Sequence, residues 1–153
     1  MAKNNELKIG DSAPDFTLQD QNKQDHTLSD YFGKKIVVYF YPKDDTPGCT
    51  KQACQFRDQY ESFMEFEALV IGISSDNVES HKKFSEEYNL PFTLLSDTKK
   101  DVRKLFGVPK SFLLLPGRVT YVLDRNGVVQ YIFNSQFGIE KHIETALEKL
   151  EKI

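Results

Sequence analysis

Cys49 and Cys54 are the only two cysteines of this chain, and both fall in the segment YPKDDTPGCTKQAC, residues 41–54. A thiolate is a nucleophile, and a second thiol close by can close a disulfide with it, so such a pair points to redox chemistry. Thr46, Pro47 and Gly48 lead into the first cysteine. A hydroxyl residue followed by proline reads as a helix start: the threonine caps, and the missing proline N–H costs nothing there. Cys49 then occupies the first turn, where free backbone N–H groups and the positive end of the helix dipole favour a thiolate. Asp44 and Asp45 push the other way, because neighbouring negative charge disfavours another anion. The cations at hand locally are Lys43, Lys51 and Arg57.

The helical pattern runs from about Pro47 to Phe66. At about 100° per residue, Cys49, Ala53, Phe56, Tyr60 and Phe63 fall on one face, which otherwise reads as plain core. Cys54 is turned by about 140° from Cys49 and shares its side with Asp58, Glu61 and Glu65. The two thiols are therefore expected in different surroundings, Cys49 at the mouth of the buried face and Cys54 on or near the polar one.

Other readings of the pair compete. A cysteine on an apolar helix face is commonly a small buried hydrophobe, although the helix-start position argues against it for Cys49. A zinc site wants Cys-x2-Cys spacing, which is absent, and His26, His81 and His142 are scattered. A Cys–His hydrolase is compatible with spacing, but none of those histidines has a suggestive context. A thioredoxin-type dithiol wants two intervening residues, and here there are four.

The elements that must hold this segment are legible in the hydrophobic pattern. KKIVVYFYP is too continuously β-branched and aromatic for a half-exposed strand and reads as a buried central one, ended by Pro42. ALVIGISS and PFTLLSD read as further strands, with NVESHKKFSEEYN and KKDVRKLFG as helices. DFTLQDQNKQDHTLSDYF reads as two short strands running into a brief helix. RVTYVLDRNGVVQYIFN reads as a hairpin with Asn126 and Gly127 tolerating positive φ at its turn. The closing GIEKHIETALEKLEKI is an amphipathic helix with Ile139, Ile143, Leu147 and Leu150 on one face and Glu148–Lys152 as a solvated pair. Strands alternating with helices predict an α/β fold, a central sheet with helices on both faces and parallel early strands joined by right-handed crossovers.

The length of 153 residues suits a single domain, 1–153, with its own core. With 28% charged residues and a net charge of -3, there is no electrostatic reason to expect a nucleic acid or an anionic membrane as partner. No apolar run is long enough to span a bilayer, and MAKNNELKIGDSAPDF has no apolar signal core. No Gly-rich phosphate loop occurs, so no cofactor is expected. The expected setting is cytoplasmic, with a mature organellar form left open.

On these residues the chain resembles the peroxiredoxins, and within them the bacterioferritin-comigratory/PrxQ group. Pro42, three residues, Thr46, two residues and Cys49 match the family's active-site pattern. Arg118 in LLPGRVTYVLDRNG matches the family's active-site arginine, and Cys54 stands where PrxQ members carry a resolving cysteine in the same helix. The resemblance extends from IGDSAPDFTLQD to the closing helix and implies a thioredoxin-like fold. By itself Arg118 reads as a surface arginine at a strand edge. The resemblance instead implies that the fold brings it to Cys49, where it stabilises the thiolate and the departing oxygen. It also implies that Thr46 hydrogen-bonds the peroxide and that Pro42 shields the thiolate from water. Gln52 and Lys51 receive no role.

The resemblance implies a monomeric, thioredoxin-recycled peroxidase acting on hydrogen peroxide or alkyl hydroperoxides, with a Cys49 sulfenic acid resolved by Cys54 to an intramolecular disulfide. Two other classes remain open, a general thiol–disulfide oxidoreductase on the same fold and a non-enzymatic redox switch. Helix geometry adds a constraint. Residues five apart on an intact helix have Cα atoms ~8 to 9 Å apart, whereas a disulfide wants ~6.8 Å or less with Cβ vectors converging. Pairing Cys49 with Cys54 requires the helix to unwind, and Gly48 reads as a weak point that helps it melt.

Overall fold

A computed structural model of the chain describes residues 6–110 and 117–153. Met1–Asn5 of the N-terminal reading and Leu114, Leu115 and Pro116 of the LLPGRV motif lie outside the described residues. Seven strands form one sheet in the order β2-β1-β5-β4-β3-β6-β7. They are β1 Thr17–Asp20, β2 Asp25–Thr27, β3 Lys35–Phe40, β4 Ala68–Ser74, β5 Thr93–Ser96, β6 Val119–Leu123 and β7 Val129–Asn134. Helices α1 Pro47–Asp58, α2 Tyr60–Glu65, α3 Val78–Tyr88, α4 Asp101–Leu105 and α5 Ile139–Glu151 connect and cover them, and a 3-10 turn spans Leu28–Tyr31. This is the thioredoxin-like α/β arrangement expected from the sequence. Among the described residues no helix is long and apolar enough to cross a membrane.

The continuous apolar run of β3 places that strand inside the sheet. It pairs in parallel with β4 and antiparallel with β6, and Ile36 through Phe40 are fully buried. Period-two alternation splits its side chains between two cores. Val37, Tyr39 and Tyr41 face a core with Cys49, Ala53 and Phe56 of α1, Phe63 of α2, Phe84 of α3 and Ile143, Ala146 and Leu150 of α5. Ile36, Val38 and Phe40 face a second core with Ala13, Phe16, Leu28, and Val102 and Phe106 at α4. Helices lie on both faces as expected, but unevenly: the cysteine-bearing α1 shares its face with three others.

Two local expectations need correction. The helix read from Pro47 to Phe66 is two helices, broken at Gln59, whose N–H bonds to Gln55 O and Arg57 O. In the β6–β7 hairpin Gly127 takes positive φ, at 77°, whereas Asn126 does not. The Asp124 carboxylate accepts the N–H groups of Asn126 and Val128, holding the turn, and the ladder shifts register beside it. The expected faces otherwise hold, and Glu148–Lys152 forms its i,i+4 pair at 3.5 Å.

Candidate active site

The site is built where β3 stops. Tyr41 N still donates to Ile73 O of β4, but Pro42 has no N–H with which to continue the ladder, and the chain turns out of the sheet. The turn back into α1 needs a left-handed residue, Asp45 at φ 60°. Asp44 is drawn inward. Its carboxylate accepts hydrogen bonds from Tyr41 OH (2.6 Å) and Ser80 OH (2.8 Å) and lies 2.6 Å from His81 Nδ1. His81 Nε2 donates to Leu95 O at 2.9 Å, and Asp44 N donates to the Asp76 carboxylate at 2.8 Å. The loop is thereby fastened to α3, to the segment that follows β4 and, through His81, to β5. The Asp44 carboxylate, which in the sequence stood against a thiolate at Cys49, is thus hydrogen-bonded to buried donors. Asp44, Asp76 and His81 have the spacing of a metal group, but their ligand atoms are engaged with protein donors and with one another.

Thr46 stands at the N-cap of α1 and Pro47 at its first position, as expected. The cap itself differs. Thr46 OH does not accept from an amide in the first turn but donates back to Lys43 O at 2.8 Å. Both bonds are local options for a threonine hydroxyl, and the tight turn at Asp45 brings the Lys43 carbonyl within reach. The first intrahelical bond runs from Thr50 N to Thr46 O (2.8 Å), so the amides of Gly48 and Cys49 precede the helical ladder and point out of its start. Cys49 is only 2% exposed, yet it lines an open cavity of about 520 Å³ with Pro42, Thr46, Gly48 and Arg118, walled by Gln136, Phe137 and Ile139.

Arg118 is not a surface arginine. It is 4% exposed, at the start of β6, with Nε donating to Gln136 O (3.1 Å) and Nη1 to Gln52 Oε1 (2.6 Å). Its Nη2 lies against Gly48: a Cβ on that residue would be 3.1 Å away. The absence of a Cβ at Gly48 thus eases the close approach of the guanidinium. Among the described residues no carboxylate lies within ion-pair distance of Arg118, so its buried charge is free to act on the cavity. Of the local cations, Lys51 pairs with Glu140 at 3.0 Å and Arg57 with Asp58 and Tyr88 O, while Lys43 lines the cavity.

Gln52, given no role in the sequence, is fully buried and orients Arg118. Its signal was present: three residues after Cys49, it is a polar side chain on an apolar helix face. Among the described residues its Nε2 has no hydrogen-bond partner. Cys54 lies outside the cavity, half-buried on the far side of α1, and burial pushes its thiol up, with Arg57 opposing and Asp58 adding to the shift. Both thiols are free. The structure thus brings together Pro42, Thr46, Cys49 and Arg118 and leaves Cys54 apart. On the opposite wall, α5 is anchored by His142, pushed down to about 4 chiefly by burial; its Nε2 donates to Ser135 O and its Nδ1 meets Thr120 OH.

Comparison with known proteins follows the same lines. Residues 9–132 match the family model described as the AhpC/TSA family. The chain is 59% identical over 145 residues to "Peroxiredoxin Q, chloroplastic" of Oryza sativa subsp. japonica, covering 94% of this chain and 67% of that protein. It is 57% identical over 145 residues to the protein of the same name from Sedum lineare, covering 94% and 78%. Among solved structures, peroxidoxin BcpB from Mycobacterium tuberculosis superposes with a TM-score of 0.89 at 38% identity, covering 96% of this chain and 98% of that one. Peroxiredoxin Q from Xanthomonas campestris superposes with a TM-score of 0.84 at 29% identity, covering 90% of each.

Proposed function

This chain belongs to the AhpC/TSA family, in the peroxiredoxin Q group of thiol-dependent peroxidases, and we propose from that premise that Cys49 is its peroxidatic residue and Cys54 its resolving one. The observation that carries the assignment is the cavity at the start of α1, where a thiol, two amides outside the helical ladder and a buried guanidinium converge. The Cys49 thiolate attacks one oxygen of the peroxide. The O–O bond breaks, Cys49 becomes a sulfenic acid, and the other oxygen leaves as an alkoxide or hydroxide that takes up a proton. Arg118 and the amides of Gly48 and Cys49 face the charge that develops on that oxygen, and Thr46 OH positions the peroxide. Pro42, Phe137 and Ile139 give the cavity an apolar wall, which suits an alkyl hydroperoxide as well as hydrogen peroxide.

Cys54 then condenses with the sulfenic acid, forming the Cys49–Cys54 disulfide and releasing water. A dithiol, thioredoxin by the family chemistry, reduces that disulfide by exchange. Because α1 is continuous over Pro47–Asp58, the first two turns unwind before the sulfurs meet. Phe56 is fully buried and stacks on Tyr39 with ring centroids 4.5 Å apart. Freeing a phenylalanine of this kind costs about 1.5–3 kcal/mol, which favours unwinding that stops short of it. No metal or organic cofactor enters these steps. The reading carries a monomer, with no nucleic-acid or membrane partner, in a cytoplasmic or organellar setting; the plant relatives are chloroplastic by name. The test is peroxide consumption by the wild-type protein with thioredoxin as sole electron source, with mass spectrometry of the oxidised chain. A 49–54 linkage and steady turnover are expected. Turnover without that linkage would remove Cys54 from the scheme.

A further inference from the structure

A second buried guanidinium lies behind the cavity, and neither the sequence pattern nor the peroxidase chemistry above uses it. Arg103, on α4, is 9% exposed, and among the described residues it has no carboxylate within ion-pair distance. Its two terminal nitrogens reach two backbone carbonyls just beyond the ends of different strands, β3 and β6: Nη2 donates to Tyr41 O at 3.1 Å and Nη1 to Gly117 O at 3.0 Å. Each of these carbonyls shares its peptide plane with a residue of the site. The plane of Tyr41 C=O ends at Pro42, and the plane of Gly117 C=O ends at Arg118.

The position explains why a side chain is needed there. β3 and β6 pair antiparallel through Phe40↔Val119, the last pair of their ladder. Beyond it stand Pro42, which cannot donate, and Arg118, whose side chain is committed to the cavity. Backbone pairing therefore gives out where the site demands the most precise spacing. A planar guanidinium with fixed donors sets the distance between two carbonyls in a way that a flexible ammonium does not. Arg103 is itself held firmly. Its guanidinium lies 5.7 Å from the Phe40 ring centroid, and Asp97 accepts the N–H groups of Val102 and Arg103 through its two carboxylate oxygens. Asp97 in turn is tied to β4, its N–H donating to Ser74 O at 2.9 Å. Burial pushes the Arg103 guanidinium down, while Asp97, Tyr121 and Cys49 favour its charged form.

We propose that Arg103 is a positioning residue for peroxide reduction: its guanidinium clasps the Tyr41 and Gly117 carbonyls and so sets the spacing of Pro42 and Arg118 about the Cys49 sulfur. The inference rests on the reading of Cys49 as peroxidatic. Misplacement of reacting groups by about 1 Å costs on the order of 10²-fold in rate, so loss of the clasp acts on the peroxide step although Arg103 touches no substrate.

The test compares two reactions of the same sulfur in Arg103→Lys and Arg103→Gln, each checked for folding by circular dichroism. Oxidation by peroxide needs Pro42 and Arg118 in register, whereas alkylation by iodoacetamide needs only an accessible thiolate. The expected result is a fall of roughly tenfold or more in the rate constant of Cys49 oxidation in both variants, with alkylation within about threefold of wild type. Equal changes in both reactions, an oxidation rate within about threefold of wild type, or failure of both variants to fold would reduce Arg103 to a structural arginine and overturn the proposal. Peptide mapping of the oxidised wild type separates the premise from the inference. If the first oxidation falls on Cys54 rather than Cys49, the peroxidatic assignment fails; if it falls on Cys49 and the variants match wild type, only the clasp fails.

Discussion

Two thiols on one helix, five residues apart, have opposite surroundings. Cys49 precedes the helical ladder, is sealed from solvent except toward one cavity, and faces Arg118 across it. Cys54 sits within the helix, half-exposed, beside Arg57 and Asp58, and burial raises its pKa. Under the proposed assignment, a thiol gains reactivity from the end of a helix rather than from the helix. At the first turn the amides are free to face a ligand, and a distant strand can deliver a cation. One turn further on, both opportunities are gone. On the same assignment the difference imposes an order on the two thiols, because the surroundings of Cys49 at the helix start hold it apart from Cys54.

The most severe way to break the comparison is to exchange the roles. Cys49→Ser is expected to abolish peroxide turnover while the far-UV spectrum stays native; retention of more than a few per cent of wild-type activity would mean that Cys54 is reactive by itself. Cys54→Ser is expected to react once. Dimedone should trap the Cys49 sulfenic acid, sulfinic acid should accumulate with excess peroxide, and thioredoxin-linked turnover should collapse. Undiminished turnover in that variant would mean that the reductant attacks the sulfenic acid directly.

Next in size is the cation that only Cys49 sees. Arg118→Met is expected to slow Cys49 oxidation by about 10²-fold, the scale of a lost transition-state donor, and to leave alkylation of Cys54 unchanged. Rapid-quench mass spectrometry on the two thiols measures both. Gln52→Leu removes the acceptor that orients that cation and also removes an unpartnered buried amide. It should slow oxidation roughly tenfold, the scale of one hydrogen bond to a charged group, with little change in melting temperature. A wild-type rate there would leave Gln52 as packing alone.

The subtlest measurement sharpens the comparison rather than breaking it. Amide hydrogen exchange on the reduced and disulfide forms should show protection lost over residues 50–55 on oxidation, while Phe56 and the rest of the β3-facing core keep theirs. Equal protection over 50–55 in both forms, with the 49–54 bond confirmed, would mean that the two sulfurs meet by a route other than unwinding.

Much of this was legible without coordinates, for a reason that can be stated residue by residue. Thr46–Pro47 marks a helix start because proline chemistry is local, and the 3.6-residue turn then places Cys49 and Cys54 on different sides by counting alone. The buried strand β3 follows from its unbroken apolar run. The local rule failed where a side chain had two local options, as with Thr46, whose hydroxyl turned back to Lys43 once Asp45 had tightened the loop. Long-range meetings were beyond it. Sequence patterns do not say which strand ends lie beside which, so Arg118 gained a role only through family resemblance, and Gln52, Arg103 and the inward turn of Asp44 toward His81 gained none. Helix starts, strand burial and the separation of the two thiols were determined by the sequence itself, since each depends on neighbours a few residues away. The tertiary structure alone decided what surrounds Cys49, because the order β4-β3-β6 and the packing of α4 and α5 bring together groups from residues 42 to 139.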